Sequence, residues 1–403
     1  MTRRVSLPII AAAAVVAAAA AVAVINPFSE SHRPPSPGRS SSPAPQVTTV
    51  NPAQAPVPPA QGAYLGAWVG PAVFTPANEI AAVNSLQQQI GRKLGIVHTY
   101  VKWQAPFPRS SDLAFLNQGS MLLISWAGTD TKKIVSGVYD GWIRTRAQQV
   151  KVLGKPVFLE WRWEMDRPNL RSEVHSAAEY IAAWNHIRAI FHAVGVHNAA
   201  WVWCPTAKGF SGGQAPAFYP GDDQVDWICA DAYPPYGKYA SFASTVDPFL
   251  SWAAHHPKPV MIGEFGVPGS YGAEQRARWL RAAQRVVMAD RQIKALVYFD
   301  ADPPGQGPRA FYSFSLDGDG PVISAFRSIA RQPYFNPTGA GLWRPAARPG
   351  GGSHTWRPLG DRNLISCRHR AAEPRADLAP DHAARRPRSR LGHARPAPRP
   401  GPA

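Results

Sequence analysis

The sequence predicts an α/β protein built on a (β/α)8 TIM barrel, and three observations carry the prediction. Eight short, nearly continuous apolar runs recur between residues 63 and 335. The stretches between them place apolar residues at three- and four-residue steps, the stripe of amphipathic helices. The Gly-rich phosphate turn that the nucleotide-binding members of the rival architecture, an open doubly wound sheet, carry after the first strand is absent. Strands that are apolar on both faces and alternate with helices form a parallel sheet covered by helices. Eight of them in about 270 residues fit a closed barrel.

The runs follow in order: "AYLGAWVG" from 63, "IVHTYVKW" from 96, "SMLLISWAG" from 120, "KPVFLEWRW" from 155, "AAWVWCPT" from 199, "VDWICADAYP" from 225, "KPVMIGEFG" from 258 and "IKALVYFD" from 293. Between the fourth and fifth, "SAAEYIAAWNHIRAIFHAVG" sets Tyr180, Ile181, Trp184, Ile187, Ile190 and Phe191 on one helical face and closes at Gly195. Between the seventh and eighth, "AEQRARWLRAAQRVVMAD" repeats the pattern through Trp279, Leu280, Ala283 and Val287. The barrel domain is expected over 63–338.

The ends are of another kind. "MTRR" followed by an alanine-rich apolar stretch to Ile25 reads as a signal peptide or a membrane anchor over 1–25, since about 20 apolar residues suffice for either. Paired arginines give "TRRVSL" a faint likeness to a twin-arginine signal. The expected localisation is secreted, or held at the cell membrane by that segment. Residues 26–62 are Pro, Ser and Ala with few large apolar side chains, an extended linker in composition. Residues 339–403 read as a disordered Arg/Pro-rich tail. A shifted reading frame in a GC-rich gene would give the same composition, which resequencing of the 3′ end would settle. The last sixty residues carry about +9 of the formal net charge of +17, and residues 1–39 about +3. The basic balance therefore belongs to the ends, and no nucleic-acid footprint is read in the middle.

In a barrel of this type functional groups sit at the C-terminal ends of strands, where loops form a cleft over a packed interior. Glu164 follows the fourth run and Glu264 ends the seventh, so carboxylates a hundred residues apart can face one ligand. Each has a plainer reading alone: Glu164 pairing Arg162, Glu264 capping a turn. Together, flanked by aromatics, they are the pair that glycoside hydrolysis needs, one protonating the leaving oxygen and the other attacking or activating water.

At these residues the chain resembles the glycoside hydrolases of clan A, and most of all family 26, the β-mannanases with some β-1,3-1,4-glucanases and β-1,3-xylanases. The likeness spans roughly residues 63–330. It rests on "WEMDRP" at the acid-bearing strand end, usually His-Glu-Met-Asn in the family, on "GEFG" at the nucleophile strand, and on "WVWCP" and "DWICADAYP" at the fifth and sixth. The resemblance implies Glu164 as general acid/base, Glu264 as nucleophile, Tyr233 as the phenol that holds the nucleophile, and double displacement with retention. Trp163 stands where the family often has histidine, and cannot titrate near neutral pH. Asp166 stands where it often has asparagine. If close, it raises the acid's pKa by repulsion; pairing with Arg162 or Arg167 would mute this.

Sugar rings stack on indoles, so Trp103, Trp126 and Trp203, at or near strand ends, are candidate substrate contacts, each with a core alternative. Arg162 and Trp163, beside the acid, and His98, inside the second run, complete the candidates; a buried barrel histidine is the plainer reading of His98. No metal or cofactor is expected: the twelve histidines show no metal-ligand spacing, and no Gly-x-Ser-x-Gly elbow is present. Cys204 and Cys229 fall on neighbouring strand ends but are expected as buried thiols, because spacing alone does not bring their Cβ atoms together; Cys367 lies in the tail. The expected protein is a monomeric, polysaccharide-cleaving β-glycosidase acting on β-mannan or β-glucan. Its rivals are a non-catalytic glycan-binding or wall-associated barrel and a remodeller of the producer's own exopolysaccharide.

Overall fold

The computed structural model describes residues 54–302, 312–318 and 320–337. The expected signal or anchor over 1–25, the linker as far as residue 53, and the tail with Cys367 lie outside the described residues. Eight parallel strands close into a barrel in chain order. The order runs β1 (Tyr64–Val69), α1 (Pro76–Ile90), β2 (Ile96–Val101), α2 (Ser110–Asn117), β3 (Met121–Trp126), α3 (Thr131–Val135), α4 (Asp140–Leu153) and β4 (Val157–Trp161). It continues with α5 (Arg171–Val174), α6 (Ala177–Val194), β5 (Ala199–Trp203), α7 (Ala207–Ser211), β6 (Trp227–Ala232), α8 (Phe242–Ala253), β7 (Val260–Phe265), α9 (Ala273–Ala289), β8 (Ile293–Asp300) and α10 (Gly320–Ala330). All eight apolar runs form strands. Six residue pairs from Tyr64↔Ala295 to Val69↔Asp300 close β1 against β8.

Local chemistry sets the helix ends. Ser176 accepts the Glu179 N–H at 3.2 Å as N-cap of α6, and Gly195 ends that helix in a left-handed conformation that glycine adopts without steric cost. The stripe read from the sequence buries Tyr180, Trp184, Ile187 and Phe191. Trp161 on the outer face of β4 stacks on Tyr180 at 5.3 Å.

The barrel interior is sorted by height. Near the N-terminal ends Ile96, Leu123, Phe158, Val202, Trp227, Met261 and Val297 fill it. Two residues beyond Ile96, Leu123 and Phe158 the inward alternation brings His98, Ser125 and Glu160, and four beyond Trp227 it brings Asp231, all buried. The sheet therefore turns polar where the cleft begins.

Register slips interrupt the ladder on both sides of β7, one against β6 and two against β8. Ala230 pairs with Ile262 but Asp231 pairs with Glu264, which leaves Gly263 as the extra residue of a β-bulge. Strict alternation from Met261 would turn Gly263 inward and Glu264 outward. The bulge turns Glu264 inward as well and returns Phe265 to the outer, helix-covered face.

The linker expectation to residue 62 is corrected for its last part. Residues 54–62 run across the N-terminal mouth of the barrel. Ala55 N–H donates to His197 O at 2.8 Å, the Trp227 indole to Pro56 O at 3.4 Å, the Tyr64 hydroxyl to Val57 O at 3.0 Å and Lys294 Nζ to Ala60 O at 3.4 Å. Pro56 and Pro59 are buried. A proline-rich segment has little conformational freedom to lose, so carbonyl acceptors and a few apolar contacts suffice to order it. Among the described residues no helix is long and apolar enough to cross a membrane.

Candidate functional site

Glu164 lies three residues beyond β4, in a turn where both Arg162 and Glu164 take left-handed backbone, φ 54° and 51°. Non-glycine residues there carry strain of about 1–3 kcal/mol each, so the surroundings must hold them. Arg162 N–H donates to Trp126 O at 3.0 Å, Glu164 N–H to Cys204 O at 2.8 Å, and Arg167 N–H back to Glu164 O at 3.0 Å. The turn is thus tied to β3 on one side and to the end of β5 on the other. The Glu164 carboxylate pairs with Arg167 Nη1 at 2.5 Å.

Glu264 is 6 % exposed. Its Oε2 accepts from the Tyr233 hydroxyl at 2.8 Å, and its Oε1 from the Tyr100 hydroxyl. Burial raises the pKa of Glu264 first and the nearby Glu164 charge adds to it, while the two phenols and Arg167 pull it down. Glu164 is raised by burial; the Arg167 guanidinium opposes this and the Asp166 charge reinforces it. A neighbouring carboxylate's charge keeps a carboxyl protonated to higher pH, and the guanidinium that Glu164 and Glu264 both feel works against this.

An aromatic wall surrounds Glu264. Tyr100 lies 5.2 Å from Trp163 and 5.5 Å from Trp68, ring centre to ring centre; Phe299 stacks on Trp68 at 4.4 Å and meets Tyr233 at 6.1 Å. Trp163, half-buried, sits in this wall. Beneath lie Glu160 and Asp231, both held well above the usual carboxylate range by burial in the first place. Ser125 Oγ donates to Glu160 Oε2 and sits 2.6 Å from His98 Nε2. Burial pulls the His98 pKa down to about 3, so the ring is neutral and packs under Tyr100 at 4.4 Å. His98 is therefore a buried support and not a cleft contact.

Several other expected contacts are corrected. Trp126 is fully buried on the outer face of the barrel: it stacks on Trp103 at 4.4 Å, its indole donates to Trp103 O at 2.9 Å, and the Arg146 guanidinium lies 5.4 Å from its ring. Trp103 is buried in the same stack. Trp203 is enclosed by Phe210, Tyr219 and Trp252, and its indole donates to Phe218 O at 3.1 Å. In each case the outward parity of the strand end aims the indole at the helices. Arg162 pairs with Glu173 at 2.6 Å, not with Glu164, and its chain lies so close over Gly128 that a Cβ there would stand 2.4 Å from its Cδ. Asp166 accepts from the Thr206 N–H at 2.9 Å and from the Thr206 hydroxyl at 2.5 Å, which docks the acid's turn onto the N-cap of α7.

Cys204 and Cys229 are bonded to each other, with Cα atoms 4.3 Å apart, which corrects the expectation of two thiols. The sulfurs lie near Glu160 and Asp231, but with both in a disulfide no thiolate is left to bind a metal. Tyr100, Glu160 and Asp231 are not among the expected residues, and Arg167, expected only as a possible partner of Asp166, pairs with Glu164 instead. The signal was inward parity: Tyr100 and Glu160 each stand an even number of residues after an apolar inward residue, Ile96 and Phe158.

No protein-family model matches the chain. Over 301 residues, 70% of its length, the chain is 30% identical to endoglucanase H of Acetivibrio thermocellus, of which it spans 32%. Over 160 residues, 38% of the chain, it is 28% identical to a β-1,3-xylanase of an Alcaligenes species, again spanning 32% of that protein. The chain therefore spans about a third of the length of these curated relatives. In fold it is similar to the catalytic domain of a GH26 endo-β-1,4-mannanase from Bacillus sp. JAMB-750, with a TM-score of 0.53 at 15% identity over 68% of this chain and 86% of that one. A GH26 β-mannanase from Bacteroides ovatus gives the same TM-score and identity over 68% and 90%. At this identity the likeness to the two mannanase structures is one of fold, the closed (β/α)8 barrel.

Proposed function

We propose that the chain is a retaining glycoside hydrolase of the family 26 type, cleaving a β-linked polysaccharide of the mannan or glucan class, with Glu264 as nucleophile and Glu164 as acid/base. The observation that carries this reading is the unequal setting of two carboxylates at the ends of β4 and β7. Glu264 has one tyrosine hydroxyl on each oxygen, a setting that favours the anion and fixes its orientation. Glu164 sits in a strained turn at the cleft rim with one arginine, so its proton can leave.

In the first step the Glu264 carboxylate attacks the anomeric carbon, the glycosidic C–O bond breaks, and the Glu164 proton moves to the departing oxygen. In the second, Glu164, now ionised, takes a proton from water as its oxygen attacks the same carbon, which frees Glu264 and restores the original anomer. Tyr100 and Tyr233 keep the carboxylate from rotating between the steps. Trp163 and the wall behind it offer apolar faces to sugar rings.

The test uses the full chain against β-mannan, glucomannan, mixed-linkage β-glucan and β-1,3-xylan, beside Glu164→Gln and Glu264→Gln. Reducing ends released by the wild type should fall about 10²–10⁴-fold in Glu164→Gln and below detection in Glu264→Gln. Proton NMR of the first product should show the β anomer before mutarotation. First appearance of the α anomer would overturn retention, and binding without product release would overturn the reading as an enzyme.

A further inference from the structure

We propose that the Cys204–Cys229 disulfide is a positioning element for both carboxylates, holding Glu164 through the end of β5 and Glu264 through the bulge of β7. This rests on the functional reading above and adds residues to its site. The β5–β6 ladder is short: within the two strands Val202↔Trp227 and Trp203↔Ile228 are in register. The next pair would be Cys204 and Cys229, and there a covalent bond continues the pairing. The bond stands between this ladder and one last parallel bridge, Thr206↔Asp231, where Asp231 N–H donates to Pro205 O at 3.0 Å.

Three groups of the site meet at this bond. The Cys204 carbonyl is the acceptor for the Glu164 N–H, at 2.8 Å, and Glu164 needs such a tie because its backbone is left-handed. Cys229 lies on β6, whose continuation carries Asp231, register partner of Glu264, and then Tyr233, which holds the Glu264 carboxylate. The sulfurs themselves fill the space in front of Gly263, the bulge residue: a Cβ at 263 would stand 2.5 Å from Cys229 Sγ and 3.0 Å from Cys204 Sγ. The disulfide therefore occupies the interior volume that a side chain at 263 would claim in an unbulged strand. Both sulfur-bearing residues are fully buried, so the bond has no surface role. Removing the sulfurs leaves a void beneath Gly263 into which the bulge can relax, and a bulge that relaxes carries Glu264 with it.

The experiment compares the full-length wild type, Cys204→Ala/Cys229→Ala, and Ile329→Ala, a core change in α10 that sets the level of stability loss alone. Thiol labelling of the denatured, unreduced wild type should leave Cys204 and Cys229 unmodified; labelling of both would overturn the proposal. On the β-glycan that the wild type cleaves, assayed well below each melting temperature, the double-alanine variant should lose at least tenfold in kcat with KM within twofold, and Ile329→Ala should keep its kcat. An unchanged kcat in the double variant, or an equal loss in Ile329→Ala, overturns it. Hydrogen exchange gives a readout independent of turnover: amide protection at Glu164 and around Gly263 should fall in the double variant and not in Ile329→Ala. If the wild type cleaves none of the glycans, the enzymatic reading fails while exchange still decides whether the disulfide holds these two positions; unchanged protection there overturns the positioning claim by itself.

Discussion

Arg167 is the residue on which the electrostatics of the site turn. It pairs with Glu164 at 2.5 Å and lowers the pKa of both carboxyls, against burial that raises both. A retaining mechanism needs Glu264 ionised and Glu164 protonated, so activity rises as pH passes the first ionisation and falls as it passes the second. With the cation gone each carboxyl keeps its proton to higher pH. Arg167→Gln should accordingly move both limbs of the kcat/KM profile on a β-glycan upward, by about one pH unit, the size of a single close charge. Glu164 and Glu264 were legible as a pair because two carboxylates beside aromatics at strand ends have few other uses. Arg167 was visible only as a possible partner for Asp166, since nothing in "WEMDRP" says which acid a flexible guanidinium will choose.

At the scale of the element, strand parity separates cleft from core, and the indoles test it. Trp203 points outward from β5 into the layer of Tyr219 and Trp252 and is fully buried, whereas Trp163 stands beyond the end of β4, half-buried beside Tyr100. Trp203→Ala should lower unfolding stability by about 3–5 kcal/mol and leave KM near the wild-type value. Trp163→Ala should raise KM several-fold and shift the denaturant midpoint little. Chemical denaturation and initial rates on the same two variants check both halves. The aromatic candidates read from sequence mixed the two kinds because "at a strand end" specifies height in the barrel and not direction. The β7 bulge shows the limit of parity from the other side: alternation from Met261 would aim Glu264 at the helices, and only the extra residue at Gly263 aims it at the cleft.

For the molecule as a whole, the two mouths of the barrel have separate duties. The carboxylates, Tyr100 and Tyr233 belong to the C-terminal mouth, while residues 54–62 cover the N-terminal one through contacts with the starts of β1, β5, β6 and β8. Deleting residues 54–61 should remove roughly 3 kcal/mol of stability, from two buried prolines and a few backbone hydrogen bonds, and lower the melting temperature by about 5 °C. The kcat on a β-glycan should stay within twofold. Calorimetry with an activity assay at 25 °C checks this, and a collapse of kcat would show that the two mouths are coupled.

The sequence by itself determined the barrel, its eight strands and the two carboxylates, because apolar runs of strand length, helical stripes and acids in apolar surroundings are local patterns with few physical solutions. It did not determine which inward or outward face each functional side chain takes, nor that Cys204 meets Cys229, nor that two tyrosines from β2 and β6 share one carboxylate. Those facts depend on register between strands distant in the chain. A slip of one residue at Gly263 costs little locally, yet it reverses the face that every later residue of the strand presents. Only closure of the barrel decides that register.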